Sequence, residues 1–569
     1  MEEGIVPRVL VTGEVPATQS LEARMTELNV PGVSIAVIHK GRIEWARGFG
    51  VARAGGGPVT ANTLFQAASI SKPVFALAVL RLVDVGRLNL DANVNDFLKA
   101  WKLPDNDFTR QSKVTLRGLL THSAGLTVNG FPGYAAGAPL PTTVQILDGT
   151  PPANSAAIRV DIVPGTLARY SGGGYVVAQQ LLQDVTAVPL SKLMHDSVLA
   201  PLGMTRSTYE QPLPLTRMSE IALPHRADGK PVEGGPHTYP EMAPAGLWTT
   251  PTDLARYALG VRASLAGKSG GVISAKTARA MLTPVFGGQA LGPQTGGSTA
   301  RKYFAHDGAN EGYRCLLVAY EDGEGAIVMT NSDSGGDLMG EVLRTIAYVY
   351  EWPDFAPSIR TLSVVKPELL DRYVGAYELN DGTPYVVRKE GDRLVGQAIG
   401  QAPTPLFPSS DREFFSKDID VTVSFTVSSG GPATAVRHRL NGWERNGPRM
   451  EEARARQLIG TAEGIMRRFK DQTPLPGSEP AIRALLAGLA SGKPDFERMK
   501  PSFADFVRQQ LPNLQQLMGN LGALKSLTFN RVAVEGDDQF DADFERGAIR
   551  IGVLLGEDGL INGVQFQPR

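Results

Sequence analysis

The chain has 569 residues, and at about 150 residues per domain that length holds several domain-sized units and excludes a lone small binding module. Its 57 Lys and Arg against 58 Asp and Glu leave a formal net charge of -1, with no run of like charge at either end, so no electrostatic footprint for nucleic acid is present. Hydrophobic residues at 42% and charged residues at 20% describe a chain able to bury a large core, which disfavours disorder.

The opening Met-Glu-Glu-Gly-Ile-Val-Pro-Arg lacks the basic and apolar regions of a signal peptide. The best apolar stretch, 74–85, is broken by Arg81 and Asp84 and falls short of the roughly 18 residues a membrane helix needs. Both observations read as a soluble protein without a membrane span, cytoplasmic as written or periplasmic if a leader has been removed. Residues 33–39 and 43–47, joined at Lys40-Gly41, predict a β-hairpin. From Ser71 the spacing turns helical, with Val74, Leu77, Leu80, Leu82 and Val85 giving a broad apolar surface that stops at Gly86. Residues 127–165 are dense in Gly, Pro and Ala and predict a long ordered loop of the kind that frames a site. Helices are expected at 175–185 and 252–263, then strands at 312–320 and 325–330, which makes one large α+β unit. Past Tyr350 a Pro-containing connector leads to short alternating runs, read as a small antiparallel β domain over 355–450. Beyond Glu451, helical segments at 481–489 and 503–518 precede a strand meander, read as a small α+β domain over 451–569. The single cysteine, Cys315, excludes an intrachain disulfide and lies in an apolar run read as a buried strand.

No His-Glu-x-x-His, Walker loop or Cys-x-x-Cys occurs, and the seven histidines show no metal-ligand spacing, so no metal and no cofactor is expected. Gly267-Lys-Ser-Gly-Gly271 matches a nucleophile elbow in letters only, because no strand leads into it, and it reads as a flexible loop. Ser-x-x-Lys occurs twice. In Ser363-Val-Val-Lys366 the next residue is Pro367, which disfavours the helix that would put both groups on one face. In Ser69-Ile-Ser-Lys72 the serine opens the predicted helix, where positions i and i+3 are neighbours, so the Lys72 amine falls beside the Ser69 hydroxyl. A lysine in an apolar wall is driven toward its neutral form and can take a serine proton. The helix N-terminus adds free N–H groups for an acyl oxygen.

Pro31-Gly-Val-Ser-Ile-Ala-Val37, Gly48-Phe-Gly50, Thr63-Leu-Phe-Gln-Ala-Ala-Ser69-Ile-Ser-Lys72 and Leu119-Leu-Thr-His-Ser-Ala-Gly125 follow one another in the chain. Behind them come Pro164-Gly165, Tyr170-Ser-Gly-Gly-Gly-Tyr175, Pro201-Leu-Gly-Met204, Ala245-Gly-Leu-Trp248 and His306-Asp-Gly308. In that order the chain resembles the serine β-lactamase family, in the branch of class C β-lactamases, family VIII esterases and D-aminopeptidases. The resemblance implies an α+β, penicillin-recognising-like catalytic domain over 1–352, an antiparallel sheet flanked by helices with a helical subdomain, ahead of the two smaller domains. It implies that Tyr170 and Lys72 serve as the base for the Ser69 nucleophile, and that Tyr170 later protonates the leaving group. It implies an oxyanion hole of the Ser69 and Ala309 N–H groups, with His306 and Gly308 on the strand that holds substrate. Gly172 stands where class C β-lactamases carry Asn and His306 where they carry Lys, so an amide and a fixed cation that hold a β-lactam are missing. Phe131, Tyr134 and Trp248 fall in segments expected to flank the site, and His122 is expected to make structural hydrogen bonds. A turn-rich loop at 441–447 with Trp443 is a candidate to reach the site mouth. The expected function is metal-free serine hydrolysis of small esters or amides through an acyl-Ser69 intermediate. A D-aminopeptidase-like peptidase of small peptides, a weak β-lactamase and a peptide-binding scaffold without turnover are the alternatives.

Overall fold

The computed structural model describes residues 4–53, 56–556 and 558–568, which fall into two compact units. One takes Val15–Pro357 with the start of the chain up to Arg8, and the other takes Val9–Glu14 with everything from Ser358 onward.

The first unit is built on a six-stranded antiparallel sheet in the spatial order Arg42–Gly50, Gly32–His39, Gly325–Thr330, Tyr313–Tyr320, Lys302–Asn310, Gln294–Gly297. The predicted hairpin forms its start. Lys40 and Gly41 take φ of 51° and 75°, the two left-handed positions that a two-residue turn needs to match the strand twist. Alternation then sorts the side chains by face. Val33, Ile35 and Val37 pack with Leu21, Met25, Leu338, Val342 and Ile346 of two covering helices, Leu21–Glu27 and Gly335–Val349. Ala36 and Ile38 face the larger core with Phe304, Leu317 and Met329. In that core runs the helix Ser71–Asp84, whose Val74, Phe75, Leu77, Val79 and Leu80 are fully buried. Each such side chain contributes about 1.5–3 kcal/mol, so the helix that carries Lys72 is among the most firmly seated parts of the unit. Pro73 is tolerated because it lies in the first turn, where its missing N–H has no partner to lose.

Two expectations change here. The stretch 127–165 is not loop throughout, since it holds the helix Thr143–Asp148, opened by a Thr142/Gln145 capping box and closed by Gly149 at φ 62°. The helix Gly335–Val349 also goes beyond the predicted elements.

In the second unit, eight strands from Gly375–Glu378 to Trp443–Pro448 form an antiparallel meander in which each strand lies beside its sequence neighbour. Its ends meet through a bridge between Tyr377 and Arg449, so the sheet curls almost into a barrel. The centre is aromatic, with Tyr373 stacked on Phe425 at 4.6 Å and Phe414 edge-on to Phe425 at 5.8 Å. The stretch 441–447 is a hairpin turn and a strand, not a loop. Asn441 and Gly442 take φ of 49° and 86°, and Trp443 follows with 82% of its surface exposed. Helices Glu452–Asp471, Ser478–Ser491 and Pro501–Leu521 then lead to the four-stranded meander that ends the described chain, around a separate core that includes Leu485, Phe503 and Phe540. Ser363 donates to Ser409 O at 2.6 Å and has a structural place in this unit. Strand Val9–Val11 pairs in parallel with Ser358–Arg360, so residues 9–14, expected in the catalytic domain, belong to the second unit. Among the described residues no helix is long and apolar enough to cross a membrane.

Candidate active site

The short strand Phe65–Gln66, paired with Trp248–Thr249, leads into a single turn at Ala68–Ile70 and then the buried helix. Ala68 is held at φ 48°, a left-handed conformation that costs a residue with a Cβ about 1–3 kcal/mol. The next residue is Ser69, half-buried. Lys72 Nζ donates to Ser69 Oγ at 2.9 Å and to Pro244 O at 3.0 Å. The amine lies 4.9 Å from the centre of the Tyr170 ring and 5.7 Å from that of Tyr175. Burial lowers the Lys72 pKa to about 7, against an opposing pull from the Asp307 carboxylate.

Tyr170 precedes the helix Gly172–Thr186, whose N-cap, Ser171, accepts from Gly174 N at 3.0 Å and donates to Thr127 O at 2.8 Å. Burial pushes the pKa of the Tyr170 phenol far above its usual value, against an opposing pull from Ser69, so it keeps its proton at neutral pH. His122, itself at φ 58°, accepts from Ser171 N at 3.1 Å through Nδ1, and its ring lies 4.2 Å from that of Tyr170. That bond fixes the proton on Nε2, which is buried without a partner among the described residues. Desolvation holds the imidazole neutral. His122 is thus packed against the phenol and tied to the backbone that carries it.

The third side of the site is the strand Lys302–Asn310. Its outer neighbour pairs with it only as far as Ala305, and beyond that it is the edge of the sheet. A Cβ at Gly308 would lie 2.3 Å from Ala67 O and 3.1 Å from Ala68 Cβ, so only glycine lets the strand pass this close to the serine turn. One residue further along each segment stand Ala309 and Ser69. His306 is 3% exposed and donates from Nδ1 to Asp307 O at 2.6 Å. Burial first, and then the Lys72 charge, lower its pKa to about 4, so it is a neutral ring facing Tyr170 at 6.2 Å.

The remaining candidates divide. A Cβ at Gly172 would meet both Asn129 O and the Phe131 ring at 3.0 Å, so a side chain there would press on both. Trp248, expected to line a pocket, is instead 1% exposed and packs edge-on to Tyr313 at 5.9 Å in the core. Tyr134 is likewise buried, its hydroxyl accepting from Asn154 N at 3.0 Å. Three participants escaped the sequence reading. Pro244 O is a backbone acceptor and has no letter of its own. Asp307 sat in plain view inside the His-x-Gly motif. Glu241, just ahead of the helix Met242–Ala245 that carries Pro244, is fully buried with neither carboxyl oxygen hydrogen-bonded among the described residues, and burial lifts its pKa to about 7.

Two family patterns match the chain, Beta-lactamase over residues 17–350 and a domain of unknown function, DUF3471, over residues 361–450. Penicillin-binding protein 4* of Bacillus subtilis (strain 168) is 24% identical over 416 residues, covering 65% of this chain and 84% of that protein. Esterase EstB of Burkholderia gladioli is 32% identical over 218 residues, 36% of this chain and 53% of that protein. Among solved structures, the octameric penicillin-binding protein homologue from Pyrococcus abyssi aligns with a TM-score of 0.50 at 23% identity, over 75% of this chain and 99% of that one.

Proposed function

Since the chain belongs to the beta-lactamase family and is a serine hydrolase, we propose that it cleaves small esters or amides through an acyl-Ser69 intermediate. The observation that carries this reading is the contact of Lys72 Nζ with Ser69 Oγ at 2.9 Å, by an amine whose pKa burial has brought to about 7. About half of such an amine is neutral at pH 7 and able to take the serine proton. Tyr170, the other candidate base, holds its own proton too tightly to act as a phenolate. It is placed to give its own phenol proton to the leaving group as the tetrahedral intermediate collapses, and to be reprotonated by the Lys72 ammonium, which lies 4.9 Å from the centre of its ring and carries the proton taken from Ser69. The N–H groups of Ser69 and Ala309 would hold the oxygen of the tetrahedral intermediate.

Ester and amide substrates are favoured over β-lactams because the Gly172 position has no side-chain amide, and because His306 is neutral. A fluorophosphonate probe followed by mass spectrometry should label the peptide carrying Ser69, and Ser69→Ala should lose both the label and turnover of p-nitrophenyl acetate. Labelling elsewhere with Ser69 untouched would refute the mechanism. Short-chain esters should exceed cephalosporins in kcat/KM, and the reverse order would refute the substrate reading.

A further inference from the structure

The turn Met242–Ala245 carries Pro244 O to the Lys72 amine, and four residues are too few to hold a helical shape on their own. Glu241 stands at its N-cap, yet makes no side-chain cap bond. The cap comes instead from the helix Gly172–Thr186, where the fully buried Gln179 accepts from Ala243 N at 2.8 Å through Oε1. Its Nε2 donates to Pro240 O at 3.1 Å and to Thr143 Oγ1 at 3.4 Å, so one amide grips the chain on both sides of Glu241. Gln179 lies four residues beyond Tyr175, on the same face of the helix. That helix follows directly on Tyr170, puts the Tyr175 ring 5.7 Å from the Lys72 amine, and through Gln179 ties down the segment whose carbonyl the amine meets.

Resting on the acyl-serine reading above, we propose that Gln179 is a positioning residue for the reaction, its amide holding the turn Met242–Ala245 so that Pro244 O keeps the Lys72 amine against Ser69. The amine has two partners, Ser69 Oγ and Pro244 O. A carbonyl can only accept, so Pro244 O takes one N–H, and the lone pair of the neutral amine is then free to face the Ser69 hydroxyl and take its proton. Removing the amide of Gln179 takes a buried partner from Ala243 N and loosens the turn. Pro244 O, an acceptor that favours the charged form of the amine, then draws away from it.

The test uses the full chain and the pH profile of kcat/KM for p-nitrophenyl acetate, a neutral ester. Gln179→Met keeps the length of the side chain without its hydrogen bonds, and Gln179→Asn keeps an amide drawn back by one methylene, so either one suffices if the other does not fold. Each should lower kcat/KM at pH 8 about tenfold and move the midpoint of its acid limb from near 7 to about 6, because an acceptor that favours the ammonium is withdrawn. The other groups around the amine stay as they are: Tyr170, Tyr175 and His122 beside it, and His306 and Asp307 on the edge strand. Glu241 is nearest to the change, so Gln179→Met is also made together with Glu241→Gln and should shift the midpoint equally. Gln180→Met, one residue along and bonded to Asp184, should leave the profile where it is. A lowered thermal midpoint with the pH midpoint unmoved would show that Gln179 serves the fold alone and would overturn the proposal, as would a shift that disappears with Glu241→Gln or is matched by Gln180→Met. Those outcomes leave the hydrolase intact. A parent that neither hydrolyses the ester nor is labelled at Ser69 by the fluorophosphonate probe would overturn the hydrolase reading and this proposal with it.

Discussion

Lys72 carries its amine in a place only 2% exposed, and the loss of solvation there loosens its proton. If it is the base, kcat/KM for a neutral ester should rise from pH 5 with a midpoint near 7 as the amine loses its proton. A rate constant that stays level from pH 5 to 9 would remove Lys72 from that role. Lys72→Arg, which stays charged, should cost on the order of 10³-fold. Glu241 supplies the opposite sign. Its folded pKa of about 7 exceeds the ordinary 4.5, so the folded state keeps a proton that the unfolded state gives up, and stability falls as pH rises from 4.5 to about 7. Glu241→Gln should raise stability by up to about 3 kcal/mol at pH 8, and the gain should vanish by pH 4.5. Thermal midpoints at both pH values check this, and an equal gain at both would show that ionisation is not its cause. At this scale the Ser69/Lys72 pair was legible because helix spacing alone brings i and i+3 together. Pro244 O was not legible, because its position depends on a segment more than 170 residues away. The burial of Tyr134 and Trp248 was equally hidden, since an aromatic letter reads the same in a pocket wall and in a core.

Elements meet the site through glycines, and two of them give sharp predictions. Gly308→Val must push the edge strand off Ala67, so kcat/KM should fall at least about 100-fold through misplacement of the Ala309 N–H. An active Gly308→Val enzyme would show that the strand has slack the packing does not suggest. Gly172→Asn should lose stability because its Cβ meets Phe131, and Gly172→Asn with Phe131→Ala should recover part of that loss. Additive losses in the double variant, read from thermal midpoints, would mean that Phe131 is not the obstacle. The hairpin, the buried helix and the final meander were legible from period, β-branching and turn letters. The helix Glu452–Asp471 was legible as well, since Ala455, Leu458, Ile459, Ala462, Ile465, Met466 and Phe469 recur at helical spacing, yet it lies outside the predicted elements. Thr142-x-x-Gln145 was a capping signal available in the sequence, masked by the Gly and Pro around it.

For the molecule as a whole, the two units have separate hydrophobic cores, so calorimetry should resolve more than one unfolding transition. Phe425→Ala, at the centre of the aromatic cluster, should lower one of them by about 3–5 kcal/mol. Glu241→Gln should move a different one, and a single transition shifted by both substitutions would show that the units unfold together. The large division near residue 355 was legible as a change of texture. The membership of residues 9–14 was not, because a three-residue strand declares nothing about which distant edge will pair with it.

That small strand makes the second unit discontinuous, with the whole of Val15–Pro357 inserted after its first few residues. During synthesis, Val9–Val11 must wait for Ser358–Arg360, and at about 5–20 residues per second the roughly 350 residues between them take about 20–70 s to emerge. By the end of that interval the inserted unit has all its strands and helices in hand and can complete its fold while the remaining residues of the flanking unit are still being made. The order of assembly is therefore written into the topology: the hydrolase matures first, and the flanking unit closes over a strand that left the tunnel before any of the rest.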